Sequence, residues 1–507
     1  MENFRGKKSG KDIKIIQMLS TGSPHGRGSG YRASCIAVWI LSLCMICPWP
    51  SHAVDRQWIG DSGDWSVGLY WDPYGAPEAG DCVWIPGDEF FVTVNLDQDY
   101  DQDNELARLS IGNADGGHAT LRHTNGHILT IEDGGRLILG EFSGSEGAYV
   151  LESGTLSVNN ETFVGMGGRG VFYQTGGDFQ MNGALYLGGH DGVYSMSGGS
   201  LTVSDSITLG TGAADTGFFS LTGSGTVNAG YMHVGRDGQG RFVQDGPASS
   251  NINGSIVVGA GTGSNGTYTL DAGSHTVNGD LVLGDAEGSN GTYNLNSGTL
   301  TVGSVTKVGN YGSGYFNQAG GTLRSSEVWL GFGEDSYGEY FLSAQAVLET
   351  VFLVIGGKDW FGSEPGHGVF NQDGGEVIAG GLWIGDTDGS MGTYNLSDGS
   401  LTVQSYDVVG MRGIGGFNQS GGVHRSDSAL ELGGTSTATG RYNLTGGILA
   451  SSNEFVGNFG EGVFNQLSGV NYVGYYEDGS PMPDDVLHEL IAVSYTHLRA
   501  HETGRNL

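Results

Sequence analysis

Most of the chain alternates apolar and polar residues with a period of two, in short segments of four or five residues. Gly291–Leu295 (GTYNL) and Gly298–Val302 (GTLTV) are examples in which every second side chain faces the same way. Gly, Asn and Asp separate these segments, and they are the residues that tight corners favour. A sustained 3.6-residue period is absent after the N-terminal region. The pattern therefore predicts an all-β fold made of short strands.

The segments belong to a repeat of about 24 residues. Each repeat has an aromatic segment, a GTLTV-like segment, and a segment that ends in an aliphatic–Gly pair such as Leu283-Gly284. The aromatic residues are Tyr149, Phe172, Tyr194, Phe219, Phe242, Tyr268, Tyr293, Phe316, Tyr340, Phe370, Tyr394, Phe417, Tyr442 and Phe464. Three strands and three corners make one coil, and stacked coils share an interior. We predict a parallel β-helix (β-solenoid) of about 15 three-strand coils over residues 106–470. A β-sandwich or propeller is the alternative, but the period is too short for a four-stranded blade.

A second period concerns the residue two positions after the aromatic one. From Tyr293 onward it alternates between leucine and glutamine: Leu295, Gln318, Leu342, Gln372, Leu396, Gln419, Leu444, Gln466. This position shares the inward face of the aromatic residue. Because a buried amide is tolerated only when it is hydrogen-bonded, we expect each glutamine to satisfy backbone groups of a corner.

The two ends differ from the repeats. Residues 1–53 combine basic residues, the apolar run Cys35–Cys47 and the small-residue site Ser51-His52-Ala53, which predicts a signal peptide. That run is shorter than the ~20 residues that span a bilayer, so we expect no transmembrane segment in the mature chain. Val493–Thr503 (VSYTHLRAHET) reads as a translated sequencing adaptor, so residues 493–507 are interpreted as a non-native tail. Residues 471–492 begin a C-terminal region without an assigned fold.

Residues 54–105 contain four tryptophans, Trp58, Trp65, Trp71 and Trp84. We interpret this segment as an N-terminal cap with the first strands, in which bulky rings cover the open end of the first coil. A carbohydrate-stacking platform is the alternative.

The net charge of the chain excludes some classes of binding partner. The chain has 22 Lys+Arg and 55 Asp+Glu residues, which gives a formal net charge of −33. Such a surface repels nucleic acid and anionic polysaccharides, so we expect no nucleic-acid partner. An extracellular glycan or a surface protein remains as the expected partner.

Three groups of residues are candidate binding sites. Asp97, Asp99, Asp101 and Asp103 would share one face of an extended strand, where Ca²⁺ could relieve their repulsion; a solvated acidic turn is the alternative. Calcium is the only cofactor that the sequence indicates.

The other two groups are aromatic. Trp360 and Phe361 lie in an insertion, Gly356–Gly368, which predicts a loop on one side of the solenoid. Tyr186, Trp329 and Trp383, together with His233, precede the aliphatic–Gly pair and should point outward. If they align, they form a groove for a glycan or a partner; isolated aromatics, or rings packed under a loop, are the alternative.

The motifs GxYxL, GxLxV and the aliphatic–Gly step resemble those of bacterial exported Gly-rich β-helix proteins, including autotransporter passengers, adhesin-like chains and sorting-signal-bearing surface solenoids. The resemblance covers residues 106–470 and implies a secreted or outer-surface protein of a bacterium with a structural or adhesin-like role. The alternative is a polysaccharide-binding or polysaccharide-cleaving β-helix. We expect no enzyme activity, because the basic residues that a polysaccharide lyase needs as base and charge clamp are scattered.

Overall fold

The structure is a computed structural model that describes residues 53–87, 91–357 and 365–474, with two short strands near the C-terminus. It forms an all-β parallel β-solenoid of about 16 turns with about 25 residues per turn, which confirms the predicted fold class. The described part contains no α-helix and one 3-10 turn at Gly68–Tyr70. The predicted signal peptide lies outside the described residues except for Ala53. The predicted tail is described only at Arg499–Ala500, which pairs with Asn465 and Gln466.

The described strands are joined by corners and loops, one of which contains the 3-10 turn. In chain order they are Asp55–Trp58, Gly63–Asp64, Trp71–Asp72, Cys82–Ile85, Val92–Leu96, Leu106–Ile111, His118–His123, Ile128–Leu139, Glu146–Leu151, Thr155–Val158, Thr162–Val164, Arg169–Gln174, Asp178–Met181, Leu185–Leu187, Asp191–Met196, Ser200–Leu209, Thr216–Leu221, Thr226–Val234, Gln239–Gln244, Ser249–Ile252, Ile256–Val258, Asn265–Leu270, Ser274–Val277, Leu281–Leu283, Asn290–Leu295, Thr299–Val308, Ser313–Gln318, Thr322–Leu330, Tyr337–Ile355, His367–Ile384, Met391–Val409, Ile414–Gln419, Val423–Leu432, Thr439–Leu444, Ile448–Val456, Glu461–Gln466, Val470–Val473, Leu490–Ala492 and Arg499–Ala500.

Each turn contributes one stretch of strand to each of three parallel sheets. The first sheet holds the aromatic segments, with Tyr293 opposite Phe316. The second sheet holds the GTLTV-like segments, and the third sheet holds the segments before the aliphatic–Gly pair. Because register is kept from turn to turn, each sequence position of the repeat becomes a column along the solenoid.

The inward column of the first sheet is a continuous stack of aromatic rings. It runs from Tyr149 to Phe464, and the ring centroids of successive turns lie 4.6 to 5.3 Å apart. All of these rings are buried. Burial of apolar area stabilises such a core, and offset ring pairs add about 0.5–1.5 kcal/mol each.

Two glycines of the repeat have different reasons to be glycine. Gly284, in the aliphatic–Gly pair, has a φ of 68°, which favours residues without a Cβ. Gly291, before the aromatic residue, is not in this region, but a Cβ there would collide with the carbonyl oxygen of Val258 in the preceding turn. The predicted left-handed corner is therefore present at Gly284, after the third strand. Gly291 is needed because the turns pack too closely there for a side chain.

The inward glutamines bond to corner carbonyls, as the sequence predicted. Gln372 Nε2 donates to the carbonyl oxygens of Gly375 at 3.3 Å and Ser400 at 2.9 Å. Its Oε1 accepts a hydrogen bond from the buried hydroxyl of Tyr394 in the next turn at 2.6 Å. Four further glutamine–tyrosine pairs repeat this arrangement: Gln174 with Tyr194, Gln244 with Tyr268, Gln318 with Tyr340, and Gln419 with Tyr442. The Leu/Gln alternation thus places an acceptor one turn before Tyr340, Tyr394 and Tyr442, and Gln174 and Gln244 do the same for Tyr194 and Tyr268 ahead of the alternating region.

A Trp-rich cluster packs at the N-terminal end. Trp65 and Trp71 have no exposed surface, and Trp58 is buried beside them. Trp65 Nε1 donates to Tyr100 Oη at 2.7 Å, and Trp71 Nε1 donates to the Trp65 carbonyl at 2.8 Å. Three of the four tryptophans are therefore enclosed, which agrees with a cap and leaves them unable to serve as a carbohydrate-stacking platform.

Candidate functional site

The outer surface of the third sheet gathers the aromatic residues that the sequence singled out. Tyr186 is followed in register by Thr208 and His233, and Trp329 is followed by Val354 and Trp383. Tyr186, His233, Trp329 and Trp383 therefore belong to one outward column, and each is half-buried. The column is not aromatic throughout, since aliphatic and hydroxyl side chains and Lys307 separate its rings.

The column is flanked by rings that the sequence analysis missed. Phe163 stacks on Tyr186 at 5.0 Å between centroids, and Phe332 stacks on Trp329 at 5.2 Å. Phe352 lies 5.0 Å from Trp383 in a tilted arrangement. Phe163 precedes an aliphatic–Gly pair and could have been found by the same rule, whereas Phe332 and Phe352 could not.

Two tyrosines on this surface are more exposed than the predicted residues. Tyr231 is 54% exposed and Tyr406 is 59% exposed. Both lie on third-sheet strands, two positions before a residue of the predicted column. Because side chains of a strand at i and i+2 share a face, these tyrosines extend the aromatic surface sideways.

An ion pair lies beside Trp329 on this surface. Lys307 Nζ lies 3.2 Å from Asp280 Oδ2 and 5.5 Å from the centroid of Trp329. Burial alone would raise the pKa of Asp280, but hydrogen bonding from Ser304 and the charge of Lys307 lower it overall. Burial, with the nearby charge of Arg236, lowers the pKa of His233, which is therefore neutral at pH 7. Trp329 Nε1 donates to Glu327 Oε2 at 2.7 Å.

Trp360 and Phe361, the candidate binding residues of the insertion, lie outside the described residues. Their role in binding stays a prediction.

The acidic run does not form the extended strand on which the predicted calcium site was based. Within residues 97–104, Gln102 and Asp103 form a hydrogen-bonded turn, and Tyr100 is buried and pairs with Leu129 as an isolated bridge. Asp97 accepts hydrogen bonds from the backbone amide and hydroxyl of Ser66 at 2.8 and 2.6 Å. Asp97 is therefore bound to Ser66, and the run as a whole is not a continuous strand.

The remaining aspartates of the run also have local roles. Asp99 accepts a hydrogen bond from the Ile128 amide at 2.9 Å, which lowers the pKa of its carboxyl. Asp101 accepts one from the Asp103 amide at 3.1 Å. In the part of the chain that the structure describes, no group of three or more His, Cys, Asp or Glu residues is arranged to hold a metal. Calcium binding stays a prediction.

A buried polar cluster lies inside the last turns. His424 Nε2 is 3.0 Å from Asp407 Oδ2, and neither side chain has exposed surface. Glu454 is 1% exposed and accepts hydrogen bonds from Ser451 Oγ at 3.1 Å and Asn471 Nδ2 at 3.2 Å. Burial raises the pKa of Glu454 to about 7. His424, Asp407 and Glu454 are all enclosed in the interior of the solenoid.

The described residues include no helix that is long and apolar enough to cross a membrane. No protein-family model matches the chain, and neither a curated protein nor a solved structure is significantly similar to it. The resemblance to bacterial exported Gly-rich β-helix proteins thus holds for the β-solenoid fold, and no family is identified.

Proposed function

We propose that this chain is a non-enzymatic, adhesin-like β-solenoid that acts outside a bacterial cell by presenting a long binding surface. The observation that carries the proposal is the register of the outward columns on the third sheet. Each column repeats its position about every 4.8 Å along the solenoid. Such a surface suits a partner that is itself extended, such as a glycan chain or a surface protein.

A polysaccharide-binding β-helix is the second candidate, and the aromatic surface of the third sheet favours it. Half-buried rings such as Trp329 and Trp383 provide apolar area at a fixed position. In this second proposal, a glycan binds to the aromatic surface of the third sheet.

The test combines location, binding and turnover. The full chain is expressed in a bacterial host, and fractionation is expected to find it outside the cytoplasm. The secreted protein is then screened for binding to glycans and to whole cells, and polysaccharides are assayed for new reducing ends. Saturable binding without polymer shortening is the expected result. Turnover of a polymer that is lost on substitution of one Asp or Glu cluster would overturn the non-enzymatic proposal.

A further inference from the structure

Three aromatic rings on the outer surface lie over glycines of the next turn. A Cβ at Gly381 would lie 2.6 Å from Cε1 of Phe352, and one at Gly333 would lie 2.5 Å from Cδ1 of Tyr311. A Cβ at Gly254 would likewise collide with the ring of Tyr231. In each case the missing side chain leaves space in which the ring rests on the neighbouring backbone.

Two of these rings share one register position with Tyr406, and we call the three residues the ring row: Tyr231, Phe352 and Tyr406. Tyr311 is 46% exposed but lies in the corner that follows the third sheet, so it is outside the ring row. Phe352, Gly381 and Tyr406 occupy one register position in consecutive turns. The ring row therefore follows the solenoid axis along one side.

The spacing of the ring row suits a polymer. With turns about 4.8 Å apart, Phe352 and Tyr406 are separated by two turns, or about 10 Å. That distance is close to the length of a disaccharide unit in an extended β-linked chain. Phe352 and Tyr406 could thus contact successive disaccharides of one chain, and Tyr231, five turns or about 24 Å before Phe352, could contact the same chain further along.

The negative charge of the chain favours an uncharged polysaccharide over an anionic one. The chain has a net charge of −33, which disfavours any anionic polysaccharide. Along the ring row, Lys307 is held by Asp280 at 3.2 Å and is not available as a clamp for a carboxylate or sulfate. Pyranose rings present a face of C–H groups that packs on an aromatic face, and this contact needs no charge.

We propose that the ring row binds an uncharged, extended polysaccharide chain that runs along the solenoid axis, a proposal that rests on the extracellular binding function above. Tyr231, Phe352 and Tyr406 are the stacking residues, and Gly254 and Gly381 leave room for the rings of Tyr231 and Phe352 to rest on the backbone of the next turn. The tilted or displaced ring that an alanine would produce at Gly381 offers less of its face to a sugar.

The experiment is affinity gel electrophoresis of the full secreted chain. The gels contain hydroxyethylcellulose, glucomannan, xyloglucan or pullulan as uncharged polymers, and polygalacturonate as the anionic one. The variants are Tyr231→Ser, Tyr406→Ser and Gly381→Ala. Tyr173→Ser is the matched control, because Tyr173 is 44% exposed but lies on the first sheet. Circular dichroism verifies that each variant is folded.

We expect at least one uncharged polymer to retard the wild-type chain, and polygalacturonate to leave it unchanged. Each tyrosine variant should bind roughly two- to tenfold more weakly, which corresponds to the loss of one ring contact. Gly381→Ala should also weaken binding, and Tyr173→Ser should not.

If the wild-type chain binds an uncharged polymer and the tyrosine variants bind equally well, the proposal that the ring row binds the polymer is refuted, but the proposed function stands. If the chain binds whole cells but none of the uncharged polymers, the ring row is again refuted. If it binds neither glycans nor cells, both proposals fail.

Discussion

The pairing of a buried glutamine with the tyrosine of the next turn can be tested at Gln372 and Tyr394. Replacing Gln372 with leucine, the residue that alternate turns carry, leaves the Tyr394 hydroxyl without an acceptor in an environment that has no exposed surface. It also removes the donor to the carbonyls of Gly375 and Ser400. An unsatisfied buried polar group costs about 1–3 kcal/mol, so Gln372→Leu should lower the free energy of unfolding by about 2–5 kcal/mol.

Tyr394→Phe alone should cost about 1–3 kcal/mol, because it leaves the buried Oε1 of Gln372 without its donor while Nε2 stays bonded to both carbonyls. In the double variant the orphaned hydroxyl is gone, so the combined loss should be smaller than the sum by about 1–2 kcal/mol. Urea denaturation of the four proteins, followed by circular dichroism and by amide hydrogen exchange at His367–Ile384 and Met391–Val409, measures this coupling. Additive losses within error would refute the idea that the glutamine serves the tyrosine.

The remaining predictions concern a buried acid, a corner and the cap. Burial raises the pKa of Glu454 from 4.5 to about 7, so the folded state binds this proton more tightly than the unfolded state does. Glu454→Gln should abolish the pH dependence of stability that results. The free energy of unfolding of the last turns should therefore fall by roughly 3 kcal/mol as pH rises from 4.5 to 7. Hydrogen exchange at Ile448–Val456, corrected for intrinsic rates, measures this, and an unchanged pH profile in the variant would contradict it. Gly284→Ala should cost about 1–3 kcal/mol in urea denaturation, because φ is 68° and a Cβ would meet the Ser313 carbonyl. Gly416→Ala is its control, since the nearest atoms there are 3.9 Å away, and equal losses would argue against the corner explanation. Trp71→Ala should destabilise the first turns by about 3–5 kcal/mol and expose them to limited proteolysis, and a protease-resistant variant would speak against a cap.

For the fold, the sequence carried most of the information. A two-residue alternation, a period of about 24 residues and Gly at the corners allow three short strands per turn, and turns with the same pattern can bury their apolar faces only against each other. The inward glutamines were predictable for the same reason, because their position follows the aromatic residue by two. The acidic run shows the limit of this logic: Asp97 and its neighbours alternate in sequence, but Tyr100 packs in the Trp cluster and the run is not a continuous strand.

The tertiary structure decided which side chains of different turns meet. That Tyr394 bonds Gln372, and that Phe352 rests over Gly381, depends on which turn lies above which and on the register between them. The sequence alone determined the periodic element and its inward and outward faces, because these follow from local backbone geometry. It did not determine the surface rings' neighbours, because those contacts join residues more than 20 positions apart and arise only when the turns stack.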